Sequence, residues 1–112
     1  MTGKYDIKLY ELKAQLCKTF SDPIRLMIIH ELREGERSVG DLQAVLGIPQ
    51  ASVSRHLALL RDRGVVSTRR EGKNIIYRLT NPKIGDACDI IHEILIKQIE
   101  YGRELAQKLT GK

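Results

Sequence analysis

The sequence has no tryptophan, one phenylalanine and four tyrosines in 112 residues. Proteins that hold single strands by stacking their bases need a platform of exposed aromatics. Here Phe20 and Tyr77 both fall in patterns that read as core, which argues against that mode of binding. Two cysteines, Cys17 and Cys88, are too few and too far apart for a disulfide framework. They are expected to pack as small hydrophobes in a reducing compartment. No apolar run exceeds four residues, as at Leu26–Ile29, so nothing is long enough to cross a bilayer. Met1 to Asp6 lacks the apolar segment of a secretory signal, and the cytoplasm is the expected location.

What is present is the composition of a folded chain, 42% hydrophobic and 29% charged, without repeats, low-complexity tracts or a flexible linker. One domain over residues 1–112 is expected. The net charge of +5 is unevenly placed. Residues 1–49 hold seven basic and seven acidic side chains, and residues 81–112 hold five of each. Residues 50–80 hold Arg55, Arg61, Arg63, Arg69, Arg70, Lys73 and Arg78 against only Asp62 and Glu71. The whole excess therefore sits in one segment, the footprint expected for a polyanionic partner.

Periodicity orders the chain into helices and one hairpin. From about 6 to 20, Leu9, Leu12, Leu16 and Phe20 form one apolar stripe and Ile7, Tyr10, Ala14 and Cys17 a second. Asp22-Pro23 restarts the chain as a helix, with a capping carboxylate followed by a proline suited to the first helical position. That helix carries Ile24, Met27, Ile28 and Leu32 towards Gly35. Ser38, with Asp41 three residues on, reads as a capping box opening a short helix whose expected buried face is Val39, Leu42, Val45 and Leu46. After the break at Gly47-Ile48-Pro49, a fourth helix runs to about Arg63 and stops at Gly64. Period-two patterns at Val65–Arg70 and Ile75–Thr80 predict two strands joined through Glu71-Gly72-Lys73-Asn74. A long helix from about 84 to 109 follows, with Ile84, Cys88, Ile91, Leu95 and Ile99 along one side. Such a helix is too long for so small a domain to cover, so the two terminal helices are expected to form a homodimer interface. The fold class is mainly α with a two-stranded β-hairpin wing (α+β).

The segment 38–80 carries the function. Val53, Leu57 and Leu60 fall on one side of the fourth helix, which leaves Ala51, Arg55 and Ala58 on the other with Ser52 and Ser54 beside them. Small residues around one long donor suit a helix pressed into a DNA major groove, where Arg55 reaches a guanine edge or a phosphate. Gln50 in the first turn suits an adenine edge or a phosphate, and His56 is read as a groove-edge or phosphate contact. The hairpin contributes Arg69, Arg70, Lys73 and Asn74 near its tip as a basic ribbon for the backbone or minor groove. A single basic residue is ordinarily a solvated charge; a helix pair, an outward arginine and a basic hairpin in succession are much rarer by chance. Ser52 and His56 are four residues apart, but no acid is placed to orient the imidazole, so no hydrolytic site is expected and the chain is read as not an enzyme.

Asp22-Pro23-Ile24-Arg25-Leu26, Ser38-Val39-Gly40-Asp41-Leu42, Gln50-Ala51-Ser52-Val53-Ser54-Arg55-His56-Leu57 and Arg69-Arg70-Glu71-Gly72-Lys73-Asn74-Ile75-Ile76-Tyr77-Arg78-Leu79 occur in this order. Together they resemble the ArsR-type winged helix-turn-helix repressors over about residues 9–100. The resemblance implies a homodimer on a pseudo-palindromic double-stranded DNA operator, which blocks transcription and is released by an inducer. The sensor sites of that family are a different matter. Ser38-Val39-Gly40-Asp41 stands where some relatives have Cys-Val-Cys-Asp, so the soft-metal ligands are missing. Asp86, Cys88, Ile99 and Gly102 stand where others have an Asp-x-His set completed by later ligands, and half of that set is absent. His30 occupies the position of the first cysteine of a family thiol switch. No cofactor is expected. The residual sensor candidates are Cys17, Cys88 and His92, the last two one helical turn apart near Asp89. The competing readings are a protein-docking winged helix and an architectural nucleic-acid binder. Either would want an apolar or acidic outward face on the fourth helix, where Arg55 and the serines stand.

Overall fold

The computed structural model describes residues 3–111. Its elements run α1 (Ile7–Thr19), α2 (Pro23–Glu34), β1 (Arg37–Ser38), α3 (Val39–Leu46), α4 (Gln50–Asp62), β2 (Val66–Glu71), β3 (Asn74–Leu79) and α5 (Lys83–Thr110). Two predicted helix starts are made by the predicted groups. Asp22 accepts from the backbone N–H of Ile24 and Arg25 at 2.8 and 3.2 Å, while Asp6 caps α1 in the same way, from Lys8 and Leu9, without having been predicted. Ser38 and Asp41 close a reciprocal capping box, each bond 3.1 Å long. These bonds satisfy backbone donors that a helix leaves open at its first turn.

The core lies where α2, α3, α4 and the base of the hairpin meet. Ile28, Ile29, Leu32, Leu42, Val53, Leu57, Leu60, Val65 and Val66 are buried there, and Phe20, Ile24, Val39, Leu46, Tyr77 and Leu79 pack around them. Two residues read from sequence as inward are not. Val45 and Met27 are 56% and 47% exposed. The inward face of α3 is centred on Val39, Leu42 and Leu46, and Val45 lies about 90° away from it at 100° per residue. On α2 the face set by Ile24, Ile28, Ile29 and Leu32 similarly leaves Met27 behind.

The expected two-stranded hairpin is in fact part of a three-stranded antiparallel sheet, in the order β1-β3-β2. Arg37 pairs with Tyr77 and Ser38 with Ile76, so β3 becomes the central strand. Two residues carry no alternation of their own. They are extended because Ser38 must hold non-helical angles (φ −83°, ψ 168°) to cap α3, and the free edge of β3 takes up their backbone groups. The hairpin is also tighter than predicted. Glu71 pairs with Asn74, which leaves only Gly72 and Lys73 in the turn. Gly72 has φ +62°, as a type II′ turn demands of its first central position, and Lys73 does not share the positive φ that a type I′ turn would need at the second.

The terminal helices extend away from this core. Every residue of α1 from 7 to 18 is exposed, and so is every residue of α5 from 90 to 110. Their apolar side chains are left open, among them Leu9, Leu12 and Leu16 on α1 and Ile91, Ile94, Leu95 and Ile99 on α5. The 28 residues of α5 make a rod about 42 Å long. Only its start is fastened, through Ile84 and Cys88 against the core and an Arg33–Asp89 ion pair to α2. The radius of gyration, 18.2 Å, contrasts with about 13 Å for a compact chain of this length. The chain by itself is a small core with two uncovered arms.

Candidate nucleic-acid interface

On α4 the division predicted from periodicity holds. Val53, Leu57 and Leu60 are fully buried, while Gln50, Ala51, Ser54, Arg55 and Ala58 are exposed and Ser52 is half-buried. Arg55 has neither a hydrogen-bond nor an ion-pair partner among the described residues. Its guanidinium is therefore available to an external acceptor, such as a base edge or a phosphate.

The hairpin stands beside this helix. A cleft between the two is lined by Ser54, Ala58, Arg61 and Asp62 of α4 and by Tyr77 of β3. The register then sorts the basic side chains of the ribbon. Arg70 is opposite Ile75, Thr68 opposite Tyr77 and Val66 opposite Leu79, so these six share the face that turns to α4 and the core. Ser67, Arg69, Glu71, Asn74, Ile76 and Arg78 share the other face. Arg69 and Arg70, adjacent in sequence, thus project to opposite sides. Arg70 and Lys73 are exposed and unpartnered among the described residues.

Arg69 is engaged. Its guanidinium pairs with Glu36 at 2.8 Å, across 33 residues, and with Glu71. The bonds from Glu36 and Glu71 raise the pKa of Arg69 further, and the same contact with Arg69 holds the Glu36 carboxyl below its usual range. Arg78 donates from Nε to Ser67 Oγ at 3.1 Å on this same face.

His56 also stands apart from the exposed set. It is half-buried, and Arg25 Nη1 lies 3.3 Å from its Nδ1. A guanidinium only donates, so in this contact Nδ1 can serve only as the acceptor, which leaves Nε2 as the ring nitrogen that can donate outward. Arg25 Nε donates in turn to the Thr19 carbonyl at 2.7 Å, so one guanidinium at the start of α2 reaches both the end of α1 and α4. Burial pushes the Asp22 carboxyl up, but the backbone N–H groups of Arg25 and Ile24 and the nearby charges together hold it below its usual value. Arg61 is a residue that the sequence reading passed over. It is exposed in the cleft, on the same side of α4 as Ser54 and Ala58 at i, i+4, i+7, a spacing that was there to be read.

The sensor candidates are not gathered. Cys17 is exposed on α1, whereas Cys88 is half-buried against the core, where burial and then Asp89 push its thiol up. Among the described residues no three His, Cys, Asp or Glu side chains lie together in a way that could hold a metal ion. Among the same residues no helix is long and apolar enough to cross a membrane.

A reading helix set on a helical core, flanked by a basic β-ribbon and by long terminal helices, defines a winged helix-turn-helix transcriptional regulator. The comparisons with known proteins agree. The biofilm growth-associated repressor of Xylella fastidiosa is 45% identical over 85 residues, which are 76% of this chain and 75% of that protein. The crystal structure of the transcriptional repressor BigR from Xylella fastidiosa matches with a TM-score of 0.71 at 44% identity, over 78% of this chain and 89% of that one. The solution structure of the homodimeric winged helix-turn-helix DNA-binding domain Mb0332 from Mycobacterium bovis gives 0.77 at 27% identity, over 90% and 95%. The family model described as "Bacterial regulatory protein, arsR family" matches residues 22–68. The chain belongs to the arsR family of bacterial regulatory proteins.

Proposed function

We propose that this protein is a cytoplasmic homodimeric repressor, without enzymatic activity, that binds a pseudo-palindromic DNA operator. The observation that carries this reading is the unpartnered Arg55 among small residues on the exposed face of α4, with the basic ribbon alongside. In this reading α4 enters the major groove. Arg55 and Gln50 address base edges, Ser52 and Ser54 bond the walls of the groove, and Arg61, Arg70, Lys73 and Asn74 hold phosphates and sugars. His56 acts as a groove-edge donor through Nε2. The open apolar faces of α1 and α5 meet their counterparts in a second copy, which places two reading helices on one duplex. The name of the Mycobacterium bovis neighbour as a homodimer and that of the Xylella relative as a repressor support the same assembly and sign of regulation. An inducer that releases the DNA completes the scheme.

The test is selection of bound duplexes from a random pool with the native protein and with Arg55→Ala. The native protein is expected to enrich two related half-sites about one helical turn apart, roughly 34–36 Å, or a multiple of that. Arg55→Ala should bind with relaxed preference at one position of each half-site. Unaltered discrimination in the variant, or an enriched site without internal symmetry, refutes the assignment.

A further inference from the structure

We propose that Arg69 is a positioning residue for the wing and that phosphate contact on the ribbon falls to Arg70 and Lys73. The inference rests on the DNA-binding reading and divides the labour within it. Charge comes first. On the face that carries Arg69, the two cations Arg69 and Arg78 meet the two anions Glu36 and Glu71, and the group sums to zero. A phosphate approaching Arg69 would meet two carboxylates already in place. On the face turned to α4, Arg70 is unpaired among the described residues, and Lys73 stands at the tip.

Geometry gives the pairing its purpose. Glu36 immediately precedes β1, and continuing the register of Arg37 with Tyr77 places it opposite Arg78 on the central strand. Arg69 lies on the far strand, β2. The Glu36–Arg69 contact therefore reaches over β3 and straps all three strands together on their outer side. Because β1 leads directly into the capping residue of α3, the strap fixes the angle of the ribbon relative to the helix pair. A two-stranded ribbon twists readily, and its tip is the part that must arrive at the backbone in register with α4.

The experiment compares the full-length protein with Glu36→Gln, Arg69→Gln and Arg70→Gln. The probe is a mixed-sequence DNA duplex, followed by fluorescence anisotropy over a series of salt concentrations. Arg70→Gln should lower the log–log salt slope by about 0.9 for each phosphate that the side chain no longer neutralises. Arg69→Gln should weaken binding at every salt concentration with the slope unchanged. Glu36→Gln removes a negative charge and would strengthen binding if that charge were a bystander. As half of the strap it should instead weaken binding, by up to about fivefold, the upper end for an exposed ion pair. Without DNA, both strap variants should speed amide exchange at residues 70–75 relative to the native protein. Tighter binding by Glu36→Gln, or a slope reduced by Arg69→Gln as much as by Arg70→Gln, overturns the proposal. If the native protein shows no salt-dependent binding to any duplex, the DNA reading falls and takes this division of labour with it. Faster exchange in the strap variants would then mark the strap as a purely mechanical tie.

Discussion

Gly85 is where α5 crosses α2, and a single methyl group there tests how the two are joined. The residue is buried, and a Cβ on it would sit 2.8 Å from Cδ, 2.9 Å from Cγ and 3.3 Å from Cβ of Arg33. Those are stem atoms, so Arg33 could not yield by swinging its tip alone. It would have to leave the path that takes it across Gly85 to Asp89. Overpacking of this kind costs about 1–3 kcal/mol. Against it, alanine in a helix is favoured over glycine by up to about 1 kcal/mol. The net expectation for Gly85→Ala is a loss of about 1 kcal/mol, a fall in melting temperature of about 4–8 °C for a domain near this size. The sharper expectation is a change of sign. Arg33→Ala alone should cost about 1 kcal/mol or less, because what it removes are two exposed ion pairs, with Asp89 and with Glu34. In that background, of these three contacts only the one with Cβ of residue 33 remains, and Gly85→Ala should become neutral or stabilising. Thermal unfolding of the four proteins of this cycle, at one fixed protomer concentration, measures the coupling. Equal destabilisation by Gly85→Ala in both backgrounds would show that Arg33 is not what confines the glycine.

Leu95→Asp places a carboxylate in the middle of the open apolar face of α5, and in a symmetric dimer it does so twice. It should shift the protein from dimer to monomer in sedimentation equilibrium, at a cost of several kcal/mol in association; a dimer of unchanged strength would mean that α5 is not in the interface. Acid should destabilise the fold with a definite sign. The bonds from the Ser38 N–H and hydroxyl hold the Asp41 carboxyl below its usual 3.8, and Glu36 is likewise held below 4.5. Their contributions are complete above those values and fade as pH falls through and below them. Chemical denaturation between about pH 6 and pH 2.5 should therefore show a decline that Asp41→Asn makes shallower. Leu57→Ala empties a fully buried position at the centre of the core, and a loss of about 2–5 kcal/mol by urea unfolding is expected.

Features written in local chemistry were legible in the sequence. Asp22 before Pro23, Ser38 three residues before Asp41 and the stripe Val53, Leu57, Leu60 each specify their structure within a turn or two, and each appears as read. What could not be read depends on partners distant in sequence. Arg37–Ser38 becomes a strand only because β3, some 40 residues later, offers an edge. Arg69 looks like a free cation until Glu36 is brought across the sheet to it. His56 looks like a surface residue until the fold sets Arg25 against its ring. At the interface the positions of the basic residues were visible, but the sorting of adjacent arginines onto two faces waited on the register. Val45 and Met27 were misread because a short helix does not announce which of two possible stripes its neighbours will cover.

A rod held at one end is a lever. With α5 fastened to the helical core only around Gly85, Cys88 and Asp89, a tilt of about ten degrees at that joint would sweep its far end through about 6 Å. In the proposed dimer, where two such rods would lock together, the same small rotation would move the two reading heads relative to each other. The half-site spacing that such a dimer accepts would then be set by a few side chains that never come near a base.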